Sequence, residues 1–339
     1  MIHCGKNRSS RRHRISGCLL LLIALGLIPW PLSADSPETP LLITGGWLFD
    51  GVSDLRRPNA GILVEHGVIT AVDLADGARA LPDARVMVLD DSDTILPGFF
   101  DLHAHYNFDL VDQGRVEEVV NNGLVFLANG VTSTWSAGEF VPERVLAHRD
   151  KIEAGHAVGP RIFASGPYFG GFRCEYAVKV AEDDCIAWPN DITEAEIRAE
   201  VDHWAARGVI SLKIKQATPD EARIIIDQAQ RHGMTTAGHL GNYRVEYDVT
   251  TRDAILMGID RIEHQLTLAL SRDDPRSAET DEMVRLMLEH EVFYDPNLQM
   301  YGGINLRQAN LEDMLWTDES VYFTPYTQAL LEARGPPPP

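Results

Sequence analysis

Residues 94–106 read T-I-L-P-G-F-F-D-L-H-A-H-Y, an apolar run that ends in two histidines separated by one alanine. Such a run is typical of a buried β-strand, in which residues i and i+2 point to the same face. His103 and His105 are therefore expected to project together from the end of this strand. Two neutral imidazoles that converge on one point can bind a divalent metal such as zinc. An isolated H-x-H pair also fits two unrelated polar residues, so the interpretation depends on the rest of the chain.

After this stretch the chain alternates short apolar runs with amphipathic segments. The runs predict seven strands, near residues 99, 131, 161, 209, 235, 259 and 292. The amphipathic segments predict helices, among them residues 194–206, 219–231 and 282–290. Strands that alternate with helices form parallel βαβ units, and their number and spacing here favour an α/β fold of the (β/α)8 TIM-barrel type. A Rossmann-type sheet is the second choice, because no G-x-G-x-x-G follows the first strand.

A smaller β unit is predicted ahead of the barrel. Residues 41–95 contain short strand-like runs separated by Gly, Pro and Asp, with a hairpin turn expected at His66 and Gly67. We therefore assign residues 35–95 to an N-terminal β unit and residues 96–339 to the barrel.

The first thirty-four residues have the pattern of a secretory signal. A basic region is followed by twelve apolar residues at 17–28 and then by P-W-P-L-S-A. Twelve apolar residues are too few to span a bilayer comfortably, so an uncleaved anchor is the weaker alternative. We predict that residues 1–34 are removed after Ala34 and that the mature chain is periplasmic or secreted. The segment S-R-R-H-R-I weakly resembles a twin-arginine signal, and the choice between the two export routes stays open.

Charge and cysteine content restrict the class of partner. The net charge is −20, and removal of the five positive charges of the signal segment leaves −25. A surface this acidic argues against nucleic acid or an anionic membrane as a partner, but it does not identify a substrate, and it leaves homo-oligomerisation undecided. The mature chain keeps Cys174 and Cys185, which are expected to form a disulfide in an exported protein. A C-x10-C metal site is the weaker alternative.

Three further residues that can carry chemistry lie at the ends of predicted strands. Lys213 lies at the end of V-I-S-L-K-I, His239 ends M-T-T-A-G-H, and His264 ends I-D-R-I-E-H. The segment L-P-G-F-F-D-L-H-A-H, followed in order by Lys, His and His on strands four, five and six, resembles the metal-dependent amidohydrolase superfamily. The segments G-V-T-S-T and G-P-R-I-F-A-S-G fit its imidazolonepropionase-like and prolidase-like branches equally.

The resemblance implies a centre with two divalent metal ions, expected to be zinc. His103 and His105 would bind the more buried ion. His239 and His264 would bind the more exposed one. Lys213 would be carboxylated on its amine and bridge the two cations. In this superfamily the residues before the barrel form one half of a β-sandwich, and the other half comes from the C-terminus.

Two neighbouring residues leave alternatives at this site. Lys215 points to the same face of its strand as Lys213 and competes with it for the bridging role. Asp101 shares the face of the H-x-H pair and is a candidate to orient one of the imidazoles.

The implied reaction is hydrolysis of a C–N bond in an amide, cyclic amide or N-acyl amino acid by a metal-activated hydroxide. In the superfamily an Asp on strand eight, in a G-T-D or S-D context, moves the proton. No such strand follows strand seven here, and Asp295 in Y-D-P does not match. We therefore expect a chain truncated before strand eight, whose catalytic acid–base residue is unassigned. The alternatives are a prolidase-like dipeptidase and a non-catalytic barrel that binds a metal or ligand.

The signal assignment predicts the N-terminus of the mature protein. N-terminal sequencing of exported material should begin at Asp35, because cleavage follows the small residue Ala34. A protein that keeps Met1 and stays in the cytoplasm would show that the segment is not a cleaved signal.

Overall fold

The computed structural model describes residues 39–72, 83–106, 119–175, 188–189, 191–240, 248–264 and 278–298. They belong to two compact units, with the boundary between Pro97 and Gly98. No helix among these residues is long and apolar enough to cross a membrane. The expected signal segment, Cys185 and the side chain of Cys174 lie outside the described part, so signal cleavage and the disulfide stay predictions.

The N-terminal unit is a four-stranded sheet in the order β3-β2-β1-β4. Its strands are β1 (Leu41–Leu48), β2 (Arg57–Glu65), β3 (Val68–Val72) and β4 (Arg85–Ile95). Strand β1 pairs antiparallel with β2 and parallel with β4, and β2 pairs antiparallel with β3. The turn expected between β2 and β3 is present, with positive φ at both His66 and Gly67, as a tight hairpin requires. Leu48, Ala60 and Ile62 form the small buried core of this N-terminal unit.

The second unit is built from parallel strands in two sheets. They are β5 (Phe99–Ala104), β6 (Val131–Ser136), β7 (Arg161–Phe163), β8 (Tyr168–Phe169), β9 (Ser211–Lys215), β10 (Thr235–His239), β11 (Arg261–Glu263) and β12 (Phe293–Asp295). One sheet has the order β5-β6-β7 and the other the order β12-β11-β10-β9-β8. A parallel strand lies at or beside each of the seven predicted positions. The described strands do not close into a ring, and the expected lack of an eighth strand concerns residues 299–339, outside the described part.

Helices follow the strands in the order expected of βα units. They are α1 (Val119–Ala128), α2 (Pro142–Glu153), α3 (Phe172–Glu175), α4 (Glu194–Ala206), α5 (Pro219–Arg231), α6 (Thr251–Met257) and α7 (Ala278–Glu289). Helices α4 and α5 have the predicted bounds because each begins with a capping box, in which Thr193 or Thr218 caps the first turn.

Strand β9 shows how the packing creates a polar interior. Leu212 and Ile214 belong to the large apolar core, where they pack with helix residues such as Ile225 of α5. Alternation along the strand then turns Lys213 and Lys215 to the opposite face. All five residues of β9 are buried, so the fold encloses two lysine side chains on that face.

The close approach of β8 to β9 predicts a stability difference between two glycine variants. Gly170 has φ +125°, and a Cβ there would lie 2.2 Å from the carbonyl oxygen of Lys215. Gly155 also has positive φ, +72°, but a Cβ there meets no described atom within 4 Å. We expect Gly155→Ala to lower the free energy of unfolding by about 1–2 kcal/mol, from the left-handed backbone alone. Gly170→Ala should cost roughly 1–3 kcal/mol more, because the backbone must move apart.

Urea denaturation of both variants beside the wild type measures this difference. Equal stability of the two variants would show that the contact between Gly170 and Lys215 does not constrain the fold.

Candidate metal centre

Four histidines from both parallel sheets converge at the carboxyl ends of their strands. His103 lies in β5 and His105 directly after it, while His239 ends β10 and His264 follows β11. The ring centroids of His103 and His105 are 5.1 Å apart, and those of His103 and His264 are 4.5 Å apart. The rings of His239 and His264 are 4.2 Å apart. Residues far apart in the sequence thus form one imidazole cluster.

Burial keeps these imidazoles neutral. Loss of solvent lowers the pKa of His105 and of His264 to about 3, with the nearby Lys213 amine as the next cause. Burial also lowers the pKa of His103 and of His239 far below the usual range. The neutral imidazole is the form that binds a metal, so all four rings are ready to act as ligands at neutral pH.

Lys213 lies in the same interior. Its side chain is 1% exposed, and its Nζ contacts the carboxylate of Glu263. Burial lowers the pKa of Lys213 well below its usual range, and the positive charges of Lys215 and Arg261 act in the same direction. A neutral amine is the form that reacts with carbon dioxide. The structure therefore brings the buried Lys213 amine together with the histidines.

Lys215 has different surroundings, although it shares a face of β9 with Lys213. Its Nζ lies 3.3 Å from the ring centroid of Phe172 and 5.8 Å from that of Tyr168. A cation over the face of an aromatic ring is stabilised by the ring's quadrupole. The geometry thus favours Lys213 over Lys215 as the lysine of the cluster.

Glu263 joins the cluster without having been predicted from the sequence. Its side chain is fully buried, and Oε1 lies 3.2 Å from His103 Nδ1 and 3.1 Å from Arg261 Nη2. His103, Glu263 and His264 offer ligand atoms that all lie within 4.8 Å of one another. The sequence does place Glu263 directly before the strand-end His264, in I-E-H. Strict alternation along a strand, however, predicts that the side chains of Glu263 and His264 face opposite ways, so Glu263 was not expected in the cluster.

The backbone of His264 explains how both neighbours reach the interior. His264 has φ +62°, a left-handed conformation that is uncommon for a residue with a side chain. Its N–H donates to the carbonyl of Asp295 at 2.8 Å, and the hydroxyl of Tyr294 donates to its carbonyl. Contacts from β12 therefore hold the turn that directs His264 and Glu263 into the cluster.

Asp101 acts on the backbone rather than on a ring. Its Oδ1 accepts a hydrogen bond from the backbone N–H of His103 at 2.8 Å. Burial raises the pKa of Asp101, with a smaller contribution from Asp295. The expected contact of Asp101 with an imidazole is thus replaced by one that fixes the main chain beside His103.

The donor set fits a divalent metal. Its four neutral imidazoles and its buried carboxylate are nitrogen and oxygen groups that zinc accepts as ligands, and a buried amine lies beside them. His103 Nδ1 is buried and lies near Glu263, yet it has no well-aligned hydrogen bond among the described residues. A buried polar nitrogen is normally satisfied, and Glu263 is the carboxylate beside it, so the ligand atom of His103 would be its other ring nitrogen.

The chain belongs to the amidohydrolase family, whose model matches residues 94–321. No curated protein sequence matches the chain. The family assignment agrees with the superfamily resemblance seen in the H-x-H strand and in the order of Lys and His residues.

Solved structures share the fold at low sequence identity. A putative prolidase from Bifidobacterium longum is 24% identical with a TM-score of 0.54, over 74% of this chain and 57% of that chain. A Xaa-Pro dipeptidase with bound methionine is 21% identical with a TM-score of 0.58, over 81% and 70%. Molinate hydrolase is 21% identical with a TM-score of 0.60, over 76% and 63%. The predicted barrel-type fold is confirmed, and this chain spans little more than half the length of the first of these proteins.

Proposed function

We propose that this chain forms the metal-binding part of an amidohydrolase that cleaves C–N bonds. The observation that carries the proposal is the convergence of four neutral imidazoles and a buried lysine amine at the carboxyl ends of parallel strands. In barrels of this type the active site is built at that end. Membership of the amidohydrolase family supports the same reaction class.

The proposed centre holds two zinc ions. His103 and His105 would bind one ion. His239 and His264 would bind the other. Lys213, carboxylated on its amine, would bridge the two. The supporting facts are the neutral state of the imidazoles and the lowered pKa of Lys213, both of which follow from burial.

When bound, the metal ions would activate water and polarise the scissile carbonyl. The chain's own contribution is positional. Strands from both sheets hold the donor atoms close together, and burial removes competing protons from the imidazoles. No described residue is assigned to move the proton to the leaving nitrogen.

The proposed substrates are amides, cyclic amides and N-acyl amino acids. A prolidase-like dipeptidase is the second candidate, favoured by the likeness to the prolidase and the Xaa-Pro dipeptidase. Export to the periplasm or the exterior, which we also propose, rests on the pattern of residues 1–34.

A pair of lysine variants tests the bridging role. Lys213→Ala should lose one or both zinc equivalents measured by mass spectrometry of the protein-bound metal, because the bridging ligand is gone. Lys215→Ala should keep the wild-type metal content, because Lys215 lies over Phe172.

Carbon-13 NMR after incubation with labelled bicarbonate gives a second measurement. A carbamate signal should be present in the wild type and in Lys215→Ala and absent from Lys213→Ala. A folded Lys213→Ala protein that keeps the signal and the metal would remove Lys213 from the centre.

Turnover by a version of the protein that includes the superfamily's strand eight with its Asp tests the reaction class. We expect zinc-loaded protein to release amine from an N-acyl amino acid, with activity lost on chelation and restored by zinc. A preference for Xaa-Pro dipeptides over N-acyl amino acids would select the dipeptidase. His239→Ala removes a proposed metal ligand, and we expect this variant to hydrolyse the substrate more slowly than the wild type. Hydrolysis that is unchanged in this variant would contradict the proposal, and metal binding with no turnover of any amide would indicate a binding protein.

A further inference from the structure

Glu263 connects the two parallel sheets of the barrel unit. It is fully buried, and a buried carboxylate requires compensating partners. Those partners come from three strands: His103 of β5, Lys213 of β9 and Arg261 of β11. The carboxylate therefore reaches from the second sheet to a residue of the first.

Arg261, which is not a proposed metal ligand, holds the carboxylate of Glu263. Its Nη2 donates to Glu263 Oε1 at 3.1 Å, and its guanidinium lies 4.0 Å from the ring centroid of Trp135 in β6. A guanidinium stacked on an indole has its orientation restricted by that packing. Trp135 thus restricts the guanidinium that donates to the carboxylate.

The other two contacts of Glu263 fall on proposed metal ligands. Oε1 lies 3.2 Å from His103 Nδ1, and Oε2 contacts Lys213 Nζ. A carboxylate on one ring nitrogen of a histidine orients the other nitrogen toward a metal. Carboxylation of the lysine amine by carbon dioxide forms one N–C bond and releases one proton. The nitrogen keeps one N–H, which can still donate a hydrogen bond to a carboxylate.

We propose that Glu263 is a positioning residue of the metal centre, which holds the His103 ring and the Lys213 nitrogen in the geometry that binds metal. The inference rests on the proposed metal site and adds a residue to it. Direct coordination by Glu263 is the competing role. The positions of both carboxylate oxygens favour positioning, since each already contacts a side-chain nitrogen of a neighbouring residue.

The test compares two carboxylate-to-amide variants of the full-length protein. Glu263→Gln keeps the volume and removes the charge. Glu200→Gln makes the same change at a carboxylate of α4, which pairs with Arg173 at 2.6 Å and with Trp204 Nε1 at 2.7 Å. Metal-free protein is titrated with zinc against a chelating indicator, and the visible absorption spectrum of the cobalt form is recorded.

We expect Glu263→Gln to bind zinc about 10–100-fold more weakly, with unchanged stoichiometry and an altered cobalt spectrum. Glu263→Asp keeps the charge on a shorter side chain and should recover part of the affinity. Glu200→Gln should match the wild type in affinity and spectrum, because its partners lie outside the cluster.

Wild-type affinity and spectrum in Glu263→Gln would overturn the inference and leave the proposed function intact. Loss of one full metal equivalent would also overturn it, since Glu263 would then be a ligand. A wild-type protein that binds no metal would instead overturn the proposed function. Circular dichroism checks the folding of each variant. If Glu263→Gln does not fold, the test uses Glu263→Asp instead. Wild-type zinc affinity and an unchanged cobalt spectrum in Glu263→Asp would then overturn the inference.

Discussion

The exclusion of water from Lys213 and Glu263 is the constraint on which the site depends. These side chains contact one another in an interior where neither is solvated. Transfer of an ionised group out of water costs several kcal/mol, so such an interior disfavours charge on the lysine and on the surrounding histidines. The same desolvation makes the amine nucleophilic and the imidazoles available as ligands. Apolar residues such as Leu212 and Ile214 pack on the other face of β9 and close that side to water.

Much of the fold follows from local patterns, and these were predictable. The bounds of α4 and α5 agree with the sequence because a capping box is a contact between residues three apart. The seven strand positions were evident because each is a short apolar run followed by turn residues. The third predicted strand differs in detail. Phe163 pairs with β6, while Tyr168 pairs with β9, because Gly166, with positive φ, redirects the chain between them.

The parts of the site that could not be predicted depend on contacts from distant segments. Alternation places Lys213 and Lys215 on one face and cannot separate them. The separation comes from Phe172 and Tyr168, which follow a different strand. Glu263 was missed for a related reason, since Tyr294 and the carbonyl of Asp295 hold the backbone turn that breaks the alternation. The backbone contact of Asp101 likewise depends on the local path of β5, which residue spacing does not specify.

The left-handed backbone of His264 limits how this position can be studied by mutation. A residue with a Cβ already costs roughly 1–2 kcal/mol in this conformation, and alanine would keep that strain while it removes the polar side chain, so a loss of stability would be mixed with a loss of coordination. Asparagine adopts this conformation more readily and carries no imidazole. Replacement by asparagine separates the chemistry of the ring from the geometry of the chain that carries it.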